Sequence, residues 1–341
     1  MPAAENVLGG VILVALTLYA LGGGADFGAG VWDLLAAGGD AARQRDVIAR
    51  AMGPVWEANH VWLILVIVLL FVCFPIAFAA IGTALHVPLA TMLVGIVLRG
   101  SAFVFRAYDN PADEVERRWG RVFAIASVVT PLTFGMSVGA VASGRILVEP
   151  ESGRVLTDFV TSWWAPFPVA LGFFTLALFA FLAAVFLTLE TTDRALQQAF
   201  RNRALAAGAA VGALAFLCLA LARTGAPVVF DGLAARGMSL PFQIVTGAVA
   251  VGALAALWRR RYRLGRALAI AQVTLIVWGW GLSQYPYLVV PDVTIDLAAP
   301  PAVLRLVLAA LAAGAVLLLP ALAYLFAVFK SRPAAAHERG E

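Results

Sequence analysis

Charge is scarce in this chain. Asp, Glu, Lys and Arg make up 13% of its 341 residues, and apolar residues make up 62%. A soluble domain holds nearer a quarter charged and half apolar, so an ordinary water-soluble fold is excluded. Cysteine is equally sparse. Cys73 and Cys218 both fall inside apolar runs, without CxxC spacing, which excludes a disulfide framework and a thiolate metal site and leaves small-residue packing. There are three histidines, His60, His86 and His337. Glu57 and His60 form one ExxH pair, but a di-iron bundle needs two such pairs and two further carboxylates, so no metal site is expected. His60 and His86 open consecutive apolar segments and so fall near opposite faces of the membrane, which sets aside a bis-histidine haem. No basic residue precedes Arg43, so the n-region of a cleavable signal is missing and the first apolar run is expected as a helix of the mature protein. P-loop, Rossmann and zinc spacings are absent, and no loop is long enough for a soluble domain.

What is present is a series of long apolar runs, with mean hydropathy +0.91. Nine segments stand out, at 7–31, 57–79, 83–105, 122–145, 163–189, 204–222, 240–258, 266–285 and 302–329. Several exceed the roughly 18 apolar residues that mark a spanning helix. The expected fold is an all-α polytopic membrane protein with nine transmembrane helices. The short connection near 79–83 predicts a hairpin of the second and third, and Pro75, Pro88 and Pro320 are expected to kink their helices. Nine crossings put the loops on two sides. One side carries four basic residues, Arg145, Arg154, Arg223 and Arg236, and the other carries 18, including the RRRYRLGR run at 259–266. By the positive-inside rule the richer side is cytoplasmic, with the N-terminus outside and the C-terminus inside. The net charge of +4 is read as this orientation signal and not as a nucleic-acid surface. The segment YPYLVVPDVTIDLAAPP reads as an ordered outer loop, and the tail 331–341 as disordered.

Against this background three ionisable groups need a reason. Asp26 lies deep in the first run, and Glu57 and His60 share one face where the second begins. All three fall toward the cytoplasmic side. Intramembrane ionisable residues mark ion or proton paths by default, and a carboxylate beside an imidazole can pass protons. The plainer alternatives are that Glu57 caps its helix, favoured there by the helix dipole, and that His60 bonds a backbone carbonyl. Gly24 and Gly28 allow another helix to approach Asp26 closely. Arg99 either snorkels or pairs with Asp26 or Glu57.

The motifs GADFGAGVWDLL, GPVWEANHVWLI, LRGSAFVFR and YPYLVVPDVTID, in this order, resemble subunit II of the cytochrome bd quinol oxidases, over nearly the whole chain. The pattern Trp56-Glu57-x-Asn59-x-x-Trp62 is the most specific part. The resemblance implies two four-helix bundles with a peripheral fifth helix between them, here 1–146 and 204–330 flanking 147–203. It implies a haem-bearing subunit I as partner, with haem b and haem d or haem b alone, and a small single-helix accessory subunit in some relatives. No haem ligand or catalytic residue is expected in this chain, and a bound quinone or lipid is a further option. The complex would oxidise quinol and reduce oxygen to water in the bacterial inner membrane, drawing protons from the cytoplasm. Glu57 would take the acid's role in the proton route, with Asp26 and His60. Trp56, Asn59 and Arg99 would lie toward the subunit interface and the haem propionates, and Trp62 on an oxygen access path. The chain departs from the family at Gly23, where an aspartate is usual, at Glu57, commonly Asp, and at His60, usually Gln, Glu or Thr. Two other readings stay open: an ion-coupled transporter, and a pure scaffold without a proton role. A transporter would place its polar groups near the midplane, whereas these cluster toward one face.

Overall fold

The structure, a computed structural model, describes residues 3–52, 56–108, 114–149, 153–234 and 239–330. The tail 331–341 lies outside them. Twelve helices and one small hairpin make up the described chain. Eight helices are long and apolar enough to cross a membrane, or nine if one sharply bent pair is a single span. The chain is an all-α polytopic membrane protein.

Helix α1 (Ala4–Leu34) has 31 residues, about 46 Å at 1.5 Å per residue, which exceeds the ~30 Å hydrocarbon core. It is followed by α2 (Ala41–Met52), a short amphipathic helix between spans. Gln44, Val47 and Ile48 of α2 are buried. Arg203 donates to Gln44 Oε1 at 2.7 Å, Arg43 pairs with Asp193, and Arg45 Nη2 donates to Ala36 O at 2.9 Å.

The second apolar segment is the bent pair. Helix α3 (Trp56–Cys73) ends before Phe74, and α4 (Pro75–Ala84) leaves at 118° to it. Phe74 has φ −134° and ψ 60°, outside helical values, and Pro75 stands at the start of α4. Proline has no N–H to give to the preceding turn, so here it opens a new helix. This corrects the expectation of one kinked helix over 57–79 that forms a hairpin with the next: α4 intervenes before α5 (His86–Tyr108). Pro88 falls in the first turn of α5, where proline is tolerated.

Helix α6 (Glu114–Ala142) precedes α7 (Pro166–Leu187), α8 (Arg194–Gly225), the short α9 (Pro227–Ala234), α10 (Ser239–Trp258) and α11 (Tyr262–Gln284), and α12 (Pro301–Lys330) closes the described chain. The fifth apolar segment, α7, packs against α1, α6, α8 and α11. A place between the halves was expected for it. Within this chain 61% of its most apolar stretch is buried. Phenylalanine, leucine and alanine surround the whole helix, which suits enclosure by other helices and exposure to lipid alike. Contact with α1 is backbone to backbone. A Cβ at Gly28 would fall 1.9 Å from Phe179 O, and one at Gly24 would fall 2.7 Å from the Phe179 ring, so the two glycines allow the close approach their spacing suggests. Trp32 Nε1 also donates to Ala180 O at 2.7 Å. By contrast, none of the most apolar stretch of α12 is buried in this chain.

On the far side from α2, β1 (Tyr287–Val289) and β2 (Val293–Thr294) form an antiparallel hairpin. Asp292 accepts from Val148 N at 2.8 Å, and Val290 N donates to Val141 O at 3.1 Å. The proline- and aspartate-bearing loop is therefore ordered, as its composition suggests.

Candidate functional site

The polar interior lies toward the end of the bundle where α1 and α7 finish and α3 and α11 begin. Asp26, on α1, is 5% exposed, and Arg99, on α5, is 2% exposed. Arg99 Nη1 donates to Asp26 Oδ2 at 2.7 Å, and Nη2 donates to Asp26 Oδ1 and to its backbone O, each at 2.9 Å. Arg99 Nε donates to Ser127 Oγ at 3.1 Å, and Ser127 donates onward to Phe123 O at 2.7 Å. The rings of Phe27 and Phe123 each lie 4.8 Å from the guanidinium carbon. Of the fates open to Arg99, the structure shows pairing with Asp26. Its guanidinium is engaged by α1 and α6 of this same chain. A bidentate Arg–carboxylate contact is a strong, geometrically specific form of ion pair, and at this depth each charge needs the other.

His60 stands beside this pair. Its ring centroid is 6.1 Å from those of Tyr19 and Phe27, and its Nδ1 is buried without a protein partner. The bond to a backbone carbonyl, the plainer alternative for His60, is not made by that nitrogen. Asn59 is 8% exposed, and its amide fills the space over Gly22, where a Cβ would fall 2.5 Å from Oδ1. Asp26, Asn59 and Trp62 line a cavity of about 320 Å³, together with Phe186, Glu190 and Arg266. The Arg266 guanidinium lies 4.7 Å from the Phe186 ring centroid, and Glu190 is exposed. The side chains of Trp56 and Glu57 lie outside the described residues, although both positions belong to the first turn of α3.

Asp26, Arg99, His60, Asn59 and Trp62 are thus brought together from three helices. Sequence reasoning missed Tyr19, Ser127, Glu190 and Arg266. Ser127 had one signal, a hydroxyl in an apolar run that Arg99 could reach. The others join the site through tertiary packing. His86 stands elsewhere, with Nδ1 2.9 Å from Thr83 O and its ring against Phe159. The described histidines therefore do not converge as haem ligands, and no group of three His, Cys, Asp or Glu side chains fit to hold a metal is found among the described residues.

These features define a helical membrane protein whose polar interior is built around an enclosed carboxylate–guanidinium pair. The family of cytochrome bd terminal oxidase subunit II matches residues 4–329, and the chain belongs to that family. It is 22% identical over 326 residues to a putative cytochrome bd menaquinol oxidase subunit II of Bacillus subtilis, covering 92% of this chain and 91% of that one. It is 26% identical over 231 residues to the cytochrome bd-I ubiquinol oxidase subunit 2 of Escherichia coli K12, covering 66% of this chain and 57% of that one. The bd oxidase structure from Geobacillus thermodenitrificans shares the fold, with TM-score 0.74 and 22% identity over 97% of this chain and 99% of that chain.

Proposed function

We propose that this chain is the non-haem-ligating subunit of a bd-type terminal oxidase in the bacterial cytoplasmic membrane. The complex oxidises quinol and reduces oxygen to water, and its haems and quinol site belong to a partner subunit I. The family match over residues 4–329 carries this reading. The haem supplies oxygen reduction when bound in the partner, and the residues here act around it.

This chain's part is to scaffold subunit I and to admit protons at the cavity bordered by α1, α3, α7 and α11. Glu57 is the first proton-accepting group and His60 the next. Two features support this order. Both Asp26 oxygens accept from Arg99, which ties the carboxylate in place and makes Asp26 a poor relay. The His60 Nδ1 remains open to a water or a transferred proton. Asn59 and Trp62 shape the cavity, with Trp62 on an oxygen path.

Orientation follows from the basic residues. If α3 and α4 together make one crossing, the termini lie on opposite sides and the four-against-18 split of basic residues holds. The 18-residue α3 supports this, since about 27 Å nearly matches the hydrocarbon core. The cavity, with Arg266 and Glu190 at its rim, then faces the cytoplasm.

The test is purification of the tagged complex from its own membranes, wild-type and Glu57→Gln, with partner identification and a reduced-minus-oxidised spectrum. A haem-bearing partner is expected. The variant is expected to assemble with full haem content and to lose about a hundredfold or more in turnover, the range assigned to one positioned proton-transfer group. A colourless chain without a partner refutes the oxidase reading. Unchanged turnover of the variant leaves a scaffold without a proton role.

A further inference from the structure

The turn between α10 and α11 carries a charge arrangement that neither the scaffold nor the proton route uses. Leu240–Trp258 and Tyr262–Gln284 are both long and apolar enough to span a membrane. Residues 259–261 join them, so the turn must lie at the edge of the bilayer. Five of the eight residues from Arg259 to Arg266 are arginine. Arg259, Arg260, Arg261 and Arg263 are exposed, and none has an ion-pair partner among the described residues.

The backbone adds to this charge. Helix α11 has no acidic residue in its first turn, and the side chain of Arg261 at its N-cap makes no capping bond. Its first N–H groups, the positive end of the helix dipole, therefore point toward the arginines. The opposing negative end of α10 is already met from another helix: Arg201 Nε and Nη2 donate to Leu257 O at 2.8 Å and Trp258 O at 2.9 Å. Arg260 has φ 57°, so the chain reverses sharply between the two helices and keeps the four exposed arginines within one short turn. Trp258 is 71% exposed at the same level, where an indole sits among lipid headgroups. Glu190 shares the nearby cavity rim with Arg266, not with the other four.

We propose that this turn binds the headgroup of an anionic phospholipid of the leaflet it faces. Arg260, Arg261 and Arg263 hold the phosphate together with the N-terminus of α11, and the acyl chains run down the exposed surface of α10 past Trp258. Bidentate arginine contacts and helix N-termini are the usual phosphate partners, and basic pockets between membrane helices hold anionic headgroups. The site depends on the membrane topology alone and not on the oxidase reading.

The test uses the intact membrane complex, purified in detergent, stripped of lipid and titrated in native mass spectrometry. The probes are dioleoylphosphatidylglycerol, dioleoylphosphatidylcholine and inorganic phosphate. The wild type is expected to bind phosphatidylglycerol in preference to phosphatidylcholine. Each of R260Q, R261Q and R263Q should weaken that binding about fivefold, and the triple variant about a hundredfold, from the contribution of one basic residue near an anionic surface. The double R332Q/R339Q, which removes charge from the tail, should leave it unchanged. The singles serve alone if the triple fails to assemble. Equal binding by the singles and the wild type overturns the site. So does equal binding of the two lipids, and occupancy by inorganic phosphate as strong as by the lipid makes it a free-anion site instead.

Discussion

Replacing Arg99 with glutamine leaves Asp26 at 5% exposure without its counter-charge. Two charge-assisted bonds to the carboxylate, one to the Asp26 backbone and one to Ser127 are lost together. Breaking a buried pair by removing one partner costs about 3–5 kcal/mol, because the remaining charge keeps its desolvation penalty. Asp26→Asn should cost a similar amount, now for a buried guanidinium that has lost the Asp26 counter-charge. The double variant Asp26→Asn/Arg99→Gln removes both charges and leaves two amides that can bond each other, so it should be more stable than either single. The assay is unfolding of the purified complex in mixed micelles, run as a double-mutant cycle, which isolates the pairwise energy. A coupling of at least ~2 kcal/mol is expected from a pair this enclosed. Additive singles, or singles each costing under ~1 kcal/mol, the value typical of exposed pairs, would refute the argument. Turnover gives a second reading: if Asp26 serves only as the partner of Arg99 and not as a relay, the assembled double variant keeps its activity.

Two further outcomes follow from the packing and the caps. Gly28→Ala should prevent accumulation of assembled complex, since the new methyl would meet Phe179 O at 1.9 Å, backbone against backbone, whereas Gly10→Ala, with nothing within 4 Å, should accumulate normally in the same membrane blot. Asp193 lies just before α8, and its carboxyl is held below the usual carboxylate range by the N–H groups of Ala195 and Leu196 and then by Arg43. A depressed folded-state value means that its contribution is full above the unfolded value near ~4 and is lost as pH falls through the folded one. Melting temperatures at pH 7 should therefore rank wild type, then Asp193→Asn, which keeps the cap, then Asp193→Ala, with the differences shrinking only below about pH 4.

Most of the architecture could be read from apolar run length, because a bilayer demands it and few other settings do. The errors fall where that signal is silent. Pro75 stands in an unbroken apolar run, so a kink and a complete break look alike in sequence; the backbone angles of Phe74 decide between them. Helix α2 was hidden by its polarity, since it earns its place from contacts with Arg203 and Asp193 more than a hundred residues away. The enclosure of α7 could not be told from exposure to lipid, because both require apolar residues on every face. In the site, the depth of Asp26 and the presence of Arg99 were legible, but their pairing joins positions 73 residues apart and was one of several open choices. Glu190 and Arg266 give no local signal at all, and only the fold brings them to the same cavity rim.

The seam between α1 and α7 also has a consequence in time. Trp32 and its acceptor Ala180 are separated by 148 residues. At roughly 5–20 residues per second, α1 waits about 7–30 seconds in the membrane before the helix that fits its glycine face is made. During that interval Gly24 and Gly28 present a groove shaped for a close neighbour that does not yet exist. The nascent chain is then most open to mispairing and to quality-control proteases, and the emergence of α7 from the ribosome closes that interval.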